Sequence, residues 1–452
     1  MVLMGVFASA AGGQVSRQTT EVSPARGVPE FLRLGFSGPL ETPFADARIV
    51  GVGDRALRLP VIIDTDVDPN AARIRLPGAI APGGYTVYWR IMSADGHAVT
   101  GDSVVRVGAG NAPPAAAANA AFGSGHGAWI AAIGRTLVIA GAVVALGLVA
   151  LRWVIADPAA AGGGLRPPGP ARDEHAGDRM LGALAASMPS WWRRWSLAVT
   201  AWFVGAVMML VGTLPTLGLA PSDLGVVLGD TRFGRTMLVI SGAAVIAAVA
   251  GAALIGVNGD RRRSTAVALA APPAAVIVAM SWLGHASLAT DRTLNIGVDA
   301  VHTAATAAWI GGLVGLGYLV ITPTARLALG DGVAYAAAAV VRFSSLAVAA
   351  VAVLVVTGVY RALAEVGALG DLTGTVYGRV LLIKLGLFAG MLVLGGYNRF
   401  VVHPRLERAA LGLPGGDAAA TRLLGRSIRA ELGFAAALIA TVGILVSTAP
   451  PG

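Results

Sequence analysis

Beyond residue 128 the chain is a succession of apolar stretches, each close to the ~20 residues that an α-helix needs to cross hydrocarbon. Inside a bilayer every backbone N–H and C=O must find its partner within the protein, so such a sequence folds as a bundle of helices. Eight spans are read: Trp129 to Ile155, Trp195 to Leu217, Thr236 to Val257, Thr265 to Leu283, Val298 to Ile321, Phe343 to Leu363, Val380 to Val402 and Leu432 to Thr448. The charged share of 13% agrees, being far below the roughly 25% of a soluble domain.

Residues up to about 110 hold no such stretch and carry strand patterning instead. Tyr85, Val87, Trp89 and Ile91 alternate with Thr86, Tyr88, Arg90 and Met92, which predicts that one set faces a core. Further short runs are Phe31 to Ser37, Ala47 to Gly51, Leu57 to Ile63, Ala72 to Leu76 and Ser103 to Val107, with Pro or Gly between them. They predict a small antiparallel sandwich or barrel.

The expected layout has four parts: an N-terminal segment over 1–20, a β domain over 21–108, a flexible linker over 109–127 and the helical bundle over 128–450. The first part is apolar with small residues, as before a signal cleavage site, but lacks the basic start of one, which points to an initiation site upstream. The linker is rich in Ala, Gly, Pro and Asn and has no period.

The net charge of +9 is confined to the bundle: residues 1–110 carry 10 basic and 10 acidic side chains, the remainder 24 and 15. Arg166, Arg172, Arg179, Arg193 and Arg194 crowd the first connection and Arg261, Arg262 and Arg263 the third, whereas the second holds only Arg232 and Arg235. Basic residues concentrate in cytoplasmic loops, so the odd connections are expected inside. The β domain and the C-terminus are then expected on the extracytoplasmic side of the inner (plasma) membrane. The same split argues against a nucleic-acid partner and makes the lipid bilayer the first one.

Several chemistries are excluded together. The absence of cysteine removes disulfides, thiolate zinc, iron–sulfur clusters and thiol nucleophiles. There is no phosphate-binding G-x-x-x-x-G-K-[ST] loop, no serine elbow and no H-E-x-x-H. Neither an enzyme nor an ATP-driven pump is expected.

Six histidines remain. His285 closes the fourth span and His302 opens the fifth, so both fall near the outer surface one short loop apart. Asp299 and His302 are i, i+3, and Thr306 and Trp309 continue the same helical stripe. Either the two rings converge on one ion, or each sits in the wet interface bonded to headgroups or to Asp291.

Met208, Met209, Met237 and Met280 fall in the outer half by this topology. Their thioethers suit soft Cu(I) if they ligate, and fill space if they do not. Lys384, the only lysine, lies about one turn inside span seven and either pairs with Asp299 or snorkels. Asp95-Gly96-His97 ends the best strand and reads as a hairpin turn. His126 precedes span one, His175 lies in a charged connection, and His403 closes span seven beside Arg399 and Arg405. Two helix starts, Thr231-Arg-Phe-Gly-Arg235 and Thr375-Val-Tyr-Gly-Arg379, look alike. They fit either a four-plus-four repeat or chance likeness.

The outer domain resembles the CopC copper-binding proteins over Pro82 to His97 with Gly101, and in Ser23-Pro24 and Leu34-Gly-Phe-Ser37. The membrane half resembles CopD in Gly284-His285-Ala286, Asp299-Ala-Val-His302 with Trp309-Ile-Gly-Gly312, Arg342-Phe-Ser344, Thr357-Gly358, and Tyr377-Gly-Arg379 with Lys384. The resemblance implies a small all-β Greek-key sandwich fused to an all-α polytopic bundle of about eight helices. It implies Cu(II) in the outer domain, with Asp95 and His97 on two of the family's ligand positions, and Cu(I) or Cu(II) in the membrane domain. The family's third ligand, an N-terminal histidine, has no counterpart near Arg17; the terminal amine, a water, a membrane residue or His126 folding back would have to replace it.

In the membrane domain His285 and His302 fall on the family's histidine motifs, with Met280, Met208, Met209 and Met237 as further ligands and Asp299, Trp309 and Lys384 in support. The function expected is copper binding, copper resistance and copper transport without ATP, with copper itself and periplasmic copper carriers as partners. A haem-bearing electron carrier and a copper-delivery partner without transport stay open. Ligating imidazole must be neutral, so uptake is expected to weaken below about pH 6.

Overall fold

The computed structural model describes residues 17–23, 30–36, 38–51, 56–63, 67–78, 80–94, 96, 98–107, 126–167, 173–254, 262–284, 291–365, 370–416 and 419–445. Asp95, His97 and His285 lie outside the described residues, as do residues 1–16 and all but the last two residues of the expected linker.

Eight strands make the first domain: β1 (Arg17–Ser23), β2 (Phe31–Phe36), β3 (Leu40–Gly51), β4 (Leu57–Leu59), β5 (Val61–Ile62), β6 (Ala71–Arg75), β7 (Gly83–Ser93) and β8 (Ala98–Val107). They pair antiparallel in two four-stranded sheets, ordered β1-β2-β6-β5 and β4-β3-β7-β8. Leu32, Leu34 and Phe36 of one sheet close on Val87, Trp89 and Ile91 of the other, with Phe36 edge-on to Trp89 at 5.5 Å. This is the expected sandwich.

Two strand expectations change. β1 begins at Arg17, inside the stretch 1–20 assigned to an N-terminal segment, because Thr19 to Ser23 find a complete ladder on β2. The run Leu57 to Ile63 breaks at Pro60, which has no N–H for a ladder.

The membrane domain has eight helices long and apolar enough to cross a bilayer. They are α1 (Gly127–Ala161), α2 (Met188–Thr216), α3 (Arg232–Leu254), α4 (Arg263–Leu283), α5 (Arg292–Thr324), α6 (Leu329–Leu363), α7 (Val376–Ala410) and α8 (Ala420–Leu445). α1 is central and packs on α2, α4, α5 and α8.

Several helices outrun the apolar stretches that announce them; α6 starts at Leu329, well before Phe343. The extension is mostly Ala and Val, buried in the bundle, and its first turn carries Asp331, on which Arg166 and Arg179 both close. The two similar helix starts share one local device. Thr231 accepts a hydrogen bond from the Gly234 N–H at 2.8 Å and Thr375 one from Gly378 at 3.0 Å, so both threonines are N-caps.

The sandwich is docked on the bundle. Met92 of β7 belongs to the same buried cluster as α1, α2 and α3, the Arg90 guanidinium donates to the Thr216 carbonyl at 3.4 Å, and the Arg232 N–H donates to the Glu41 carboxylate at 2.9 Å. The simple alternation expected of β7 therefore fails at its end. Val87, Trp89 and Ile91 face the sandwich core, but Tyr88, Arg90 and Met92 on the opposite face are buried too, Arg90 and Met92 against the membrane domain.

Candidate functional site

At the end of the bundle nearest the β domain, α1, α4, α5, α6, α7 and α8 enclose a cavity of about 170 Å³. Asp299, His302 and Thr306 line it from α5, as their common stripe requires. Met280 comes from α4 and Gly284 directly follows that helix, Arg361 comes from α6, Tyr377 and Lys384 from α7, and Arg135 from α1. Trp309, next on the stripe, is buried against Phe388 with ring centroids 5.8 Å apart. It sits in a π-helical turn, Ala307–Gly311, and such turns are frequent at functional sites.

His302 is oriented by α6. Its Nδ1 lies 2.8 Å from the Thr357 hydroxyl oxygen. That hydroxyl also lies 2.6 Å from the Val353 carbonyl, to which it can donate its own proton while accepting from His302. With the Thr357 proton on Val353, a neutral His302 donates from Nδ1 and keeps its lone pair on Nε2, the tautomer that ligates through Nε2.

The charge around this ring is mostly positive: among the described residues Arg135, Arg361 and Lys384 line the cavity against one carboxylate, Asp299. Asp299 is ion-paired with Arg361. The expectation of an Asp299–Lys384 pair is thus met by a different cation, although Lys384 lines the same cavity. Arg361 went unnoticed in the sequence because it lies at the far end of α6, and only helix packing brings it to Asp299.

The methionines separate. Met280 lines the cavity with His302, whereas Met209 and Met237 are buried in the main core and Met208 is half-buried beside Gly134 of α1. His126 opens the first helix, and its side chain is outside the described residues. Among the described residues no three His, Asp or Glu side chains gather as a metal cluster.

In the outer domain the turn from β7 to β8 runs through Gly96 at φ +85°, with its N–H bonded to Ser93 O at 2.9 Å. Asp95 and His97, on either side of Gly96, lie outside the described residues. A Cβ at Gly96 would overlap the Phe233 ring at the start of α3, so this turn is pressed against the membrane domain. Gly101, opposite Trp89 in the ladder, likewise leaves no room for a Cβ against that indole.

A second polar group lies toward the other end of the bundle. Glu431 of α8, 2% exposed, accepts a hydrogen bond from the Asn398 amide of α7. Nearby in sequence, the buried Ser427 Oγ, Asn398 Oδ1 and His403 Nε2 have no hydrogen-bond partner. Glu431 lies inside the last helix, one residue before the expected start of its apolar span at Leu432.

Comparison with known proteins finds likenesses in both halves. Residues 15–108 match the CopC domain and residues 337–445 match the family Copper resistance protein D. The Copper transport protein CutJ of Bacillus subtilis is 27% identical over 180 residues, covering 39% of this chain and 29% of that protein. Copper resistance protein D of Pseudomonas syringae pv. tomato is 29% identical over 177 residues, covering 38% of this chain and 56% of that protein. The chain thus spans less than two thirds of either relative. The crystal structure of CopC from Methylosinus trichosporium OB3b aligns over 22% of this chain and 99% of its own, at 20% identity and a TM-score of 0.19.

Proposed function

We propose that this chain, a multi-pass membrane protein in which a CopC domain is joined to a CopD segment, carries copper across the membrane without ATP and so confers copper tolerance. The observation that supports this most is His302: a histidine in a membrane cavity, held at Nδ1 by the Thr357 hydroxyl, with the Met280 thioether lining the same cavity. Imidazole and thioether together suit Cu(I). The positive lining adds to that preference, since a monovalent ion, or copper arriving with anionic ligands, is repelled less than a bare divalent one. A space of about 170 Å³, below the roughly 300–1,000 Å³ of pockets for larger ligands, suits an ion and argues against haem.

The Arg distribution supports an inner-membrane orientation with both chain ends and the β domain outside. In this reading the Asp95-Gly96-His97 turn presents Cu(II) where the sandwich meets the bundle, and periplasmic carriers load it. The role is transport, not catalysis.

The test is the double substitution His285→Ala/His302→Ala in the full chain. Copper content of the purified protein and copper tolerance of the cells are expected to fall while membrane insertion stays intact. Unchanged copper content and tolerance would refute the assignment.

A further inference from the structure

The cavity does not end at Lys384. On α7 the cavity residues Tyr377, Leu381 and Lys384 continue at four- and three-residue steps through Phe388, Met391 and Gly395 to Asn398. On α8 the cavity residues Leu445, Val442 and Leu438 continue through Ala435 to Glu431. Such steps keep each series on one helix face, and α7 and α8 pack against each other. The two faces form one seam, joining the cavity to the Asn398–Glu431 pair. At 1.5 Å per residue, Glu431 lies about 10 Å deeper than Leu438.

Three features set this pair apart from a structural hydrogen bond. Asn398 opens a π-helical turn, Asn398–Val402, so the i→i−4 ladder is interrupted where the polar pair sits. The buried Asn398 Oδ1 and Ser427 Oγ have no partner, and Ser427 is one turn from Glu431 on the same face of α8. The partner that Glu431 does have is a neutral amide.

Charged groups on the packed elements are directed elsewhere. Arg152 of α1 pairs with Asp157, Arg135 and Lys384 line the cavity at the opposite end, and Tyr318 of α5 bonds Ser190. On α7, Arg399 donates to Ser344, His403 lies 3.9 Å from Glu407, and Arg405 and Arg408 are exposed. The basic residues of α8 itself, Arg422, Arg426 and Arg429, are exposed as well. A carboxylate in apolar surroundings without a cation is expensive, and taking up a proton removes the cost.

We propose that Glu431 is a proton-binding site of the membrane domain, a neutral carboxylic acid that gives up and regains its proton as copper traverses the seam. The coupling rests on the transport reading above; the protonated state does not. When a copper ion moves along the seam, the Glu431 O–H bond breaks, the proton passes to water, and the carboxylate charge offsets that of the ion. When the ion leaves, a proton from water restores the acid.

Infrared difference spectra of the full chain in detergent test the first part. At neutral pH the wild type is expected to show the C=O band of a protonated carboxyl that Glu431→Gln lacks, and Asn398→Leu is expected to shift that band. Wild type without the band, or a band that Asn398→Leu leaves in place, overturns the proposal; the latter holds even if Glu431→Gln does not fold. Copper uptake by proteoliposomes tests the coupling. An imposed pH gradient is expected to change wild-type uptake by up to about tenfold per unit for one exchanged proton and to leave Glu431→Gln unaffected. An equal response in both overturns the coupling, whereas a band with no copper uptake at all overturns the transport reading and keeps the proton site.

Discussion

The Thr357 hydroxyl and His302 Nδ1 lie 2.8 Å apart across the α5–α6 contact, and the hydroxyl proton is directed at the Val353 carbonyl. Thr357 thereby positions the His302 ring. Partners of this kind typically contribute about 10–100-fold to metal affinity. Thr357→Val, which keeps the shape and removes the acceptor, is expected to weaken copper binding by about that factor, and Thr357→Ser to restore it. Competition titration of the purified full chain against a copper chelator measures both. Equal affinity in wild type and Thr357→Val would exclude the orienting role.

Asp299 and Arg361 are 17% and 28% exposed, so each leaves a poorly hydrated charge when the other is removed. Arg361→Ala is expected to destabilise the bundle by on the order of 3 kcal/mol. Asp299→Asn with Arg361→Ala together should cost less than the sum of the two single changes. Thermal unfolding in detergent reads the cycle, and additive effects would mean that the pair does not act as a unit.

Gly96 combines a positive φ of +85° with the Phe233 ring where a Cβ would be. Gly96→Ala should therefore lift the β7–β8 turn off the bundle, with about 1 kcal/mol or more of backbone cost in addition. The chain has no cysteine, so spin labels at Arg106→Cys and Asp230→Cys report the docking directly. A narrow distance distribution is expected in the parent and a broad one after Gly96→Ala. Adding Phe233→Ala should narrow it again by making room for the methyl group.

Burial pushes the Glu41 carboxyl above the usual carboxylate range, against the lowering effects of the Arg232 N–H and of the Arg235 and Arg232 charges. The folded chain then holds a proton that the unfolded chain has already lost, so this group destabilises the docked fold at neutral pH. The cost is relieved as pH falls through the raised value, and the relief levels off below the ordinary value of 4.5. Glu41→Gln keeps an acceptor for Arg232 and removes the titration. The stability of wild type relative to Glu41→Gln should rise on acidification, as measured by thermal midpoints over that range. A relative fall would show the opposite linkage.

Much of the fold was legible because its signals are local. Alternation along β7 placed Val87, Trp89 and Ile91 inside, and the mean apolarity of successive windows located all eight membrane helices. The stripe Asp299, His302, Thr306 also followed from helical period alone, and its first three members do share a wall of the cavity. The sequence did not show that the other face of β7 is covered by the bundle, that Arg361 and not Lys384 closes on Asp299, or that Met280 stays at the cavity while Met209 and Met237 fill the core. Nor did it show that Glu431 meets Asn398. Periodicity assigns a residue to a face of its own helix, whereas a partner is chosen by the rotation and depth at which two helices pack. That choice is made by side chains far apart in the chain, and so it belongs to the tertiary structure.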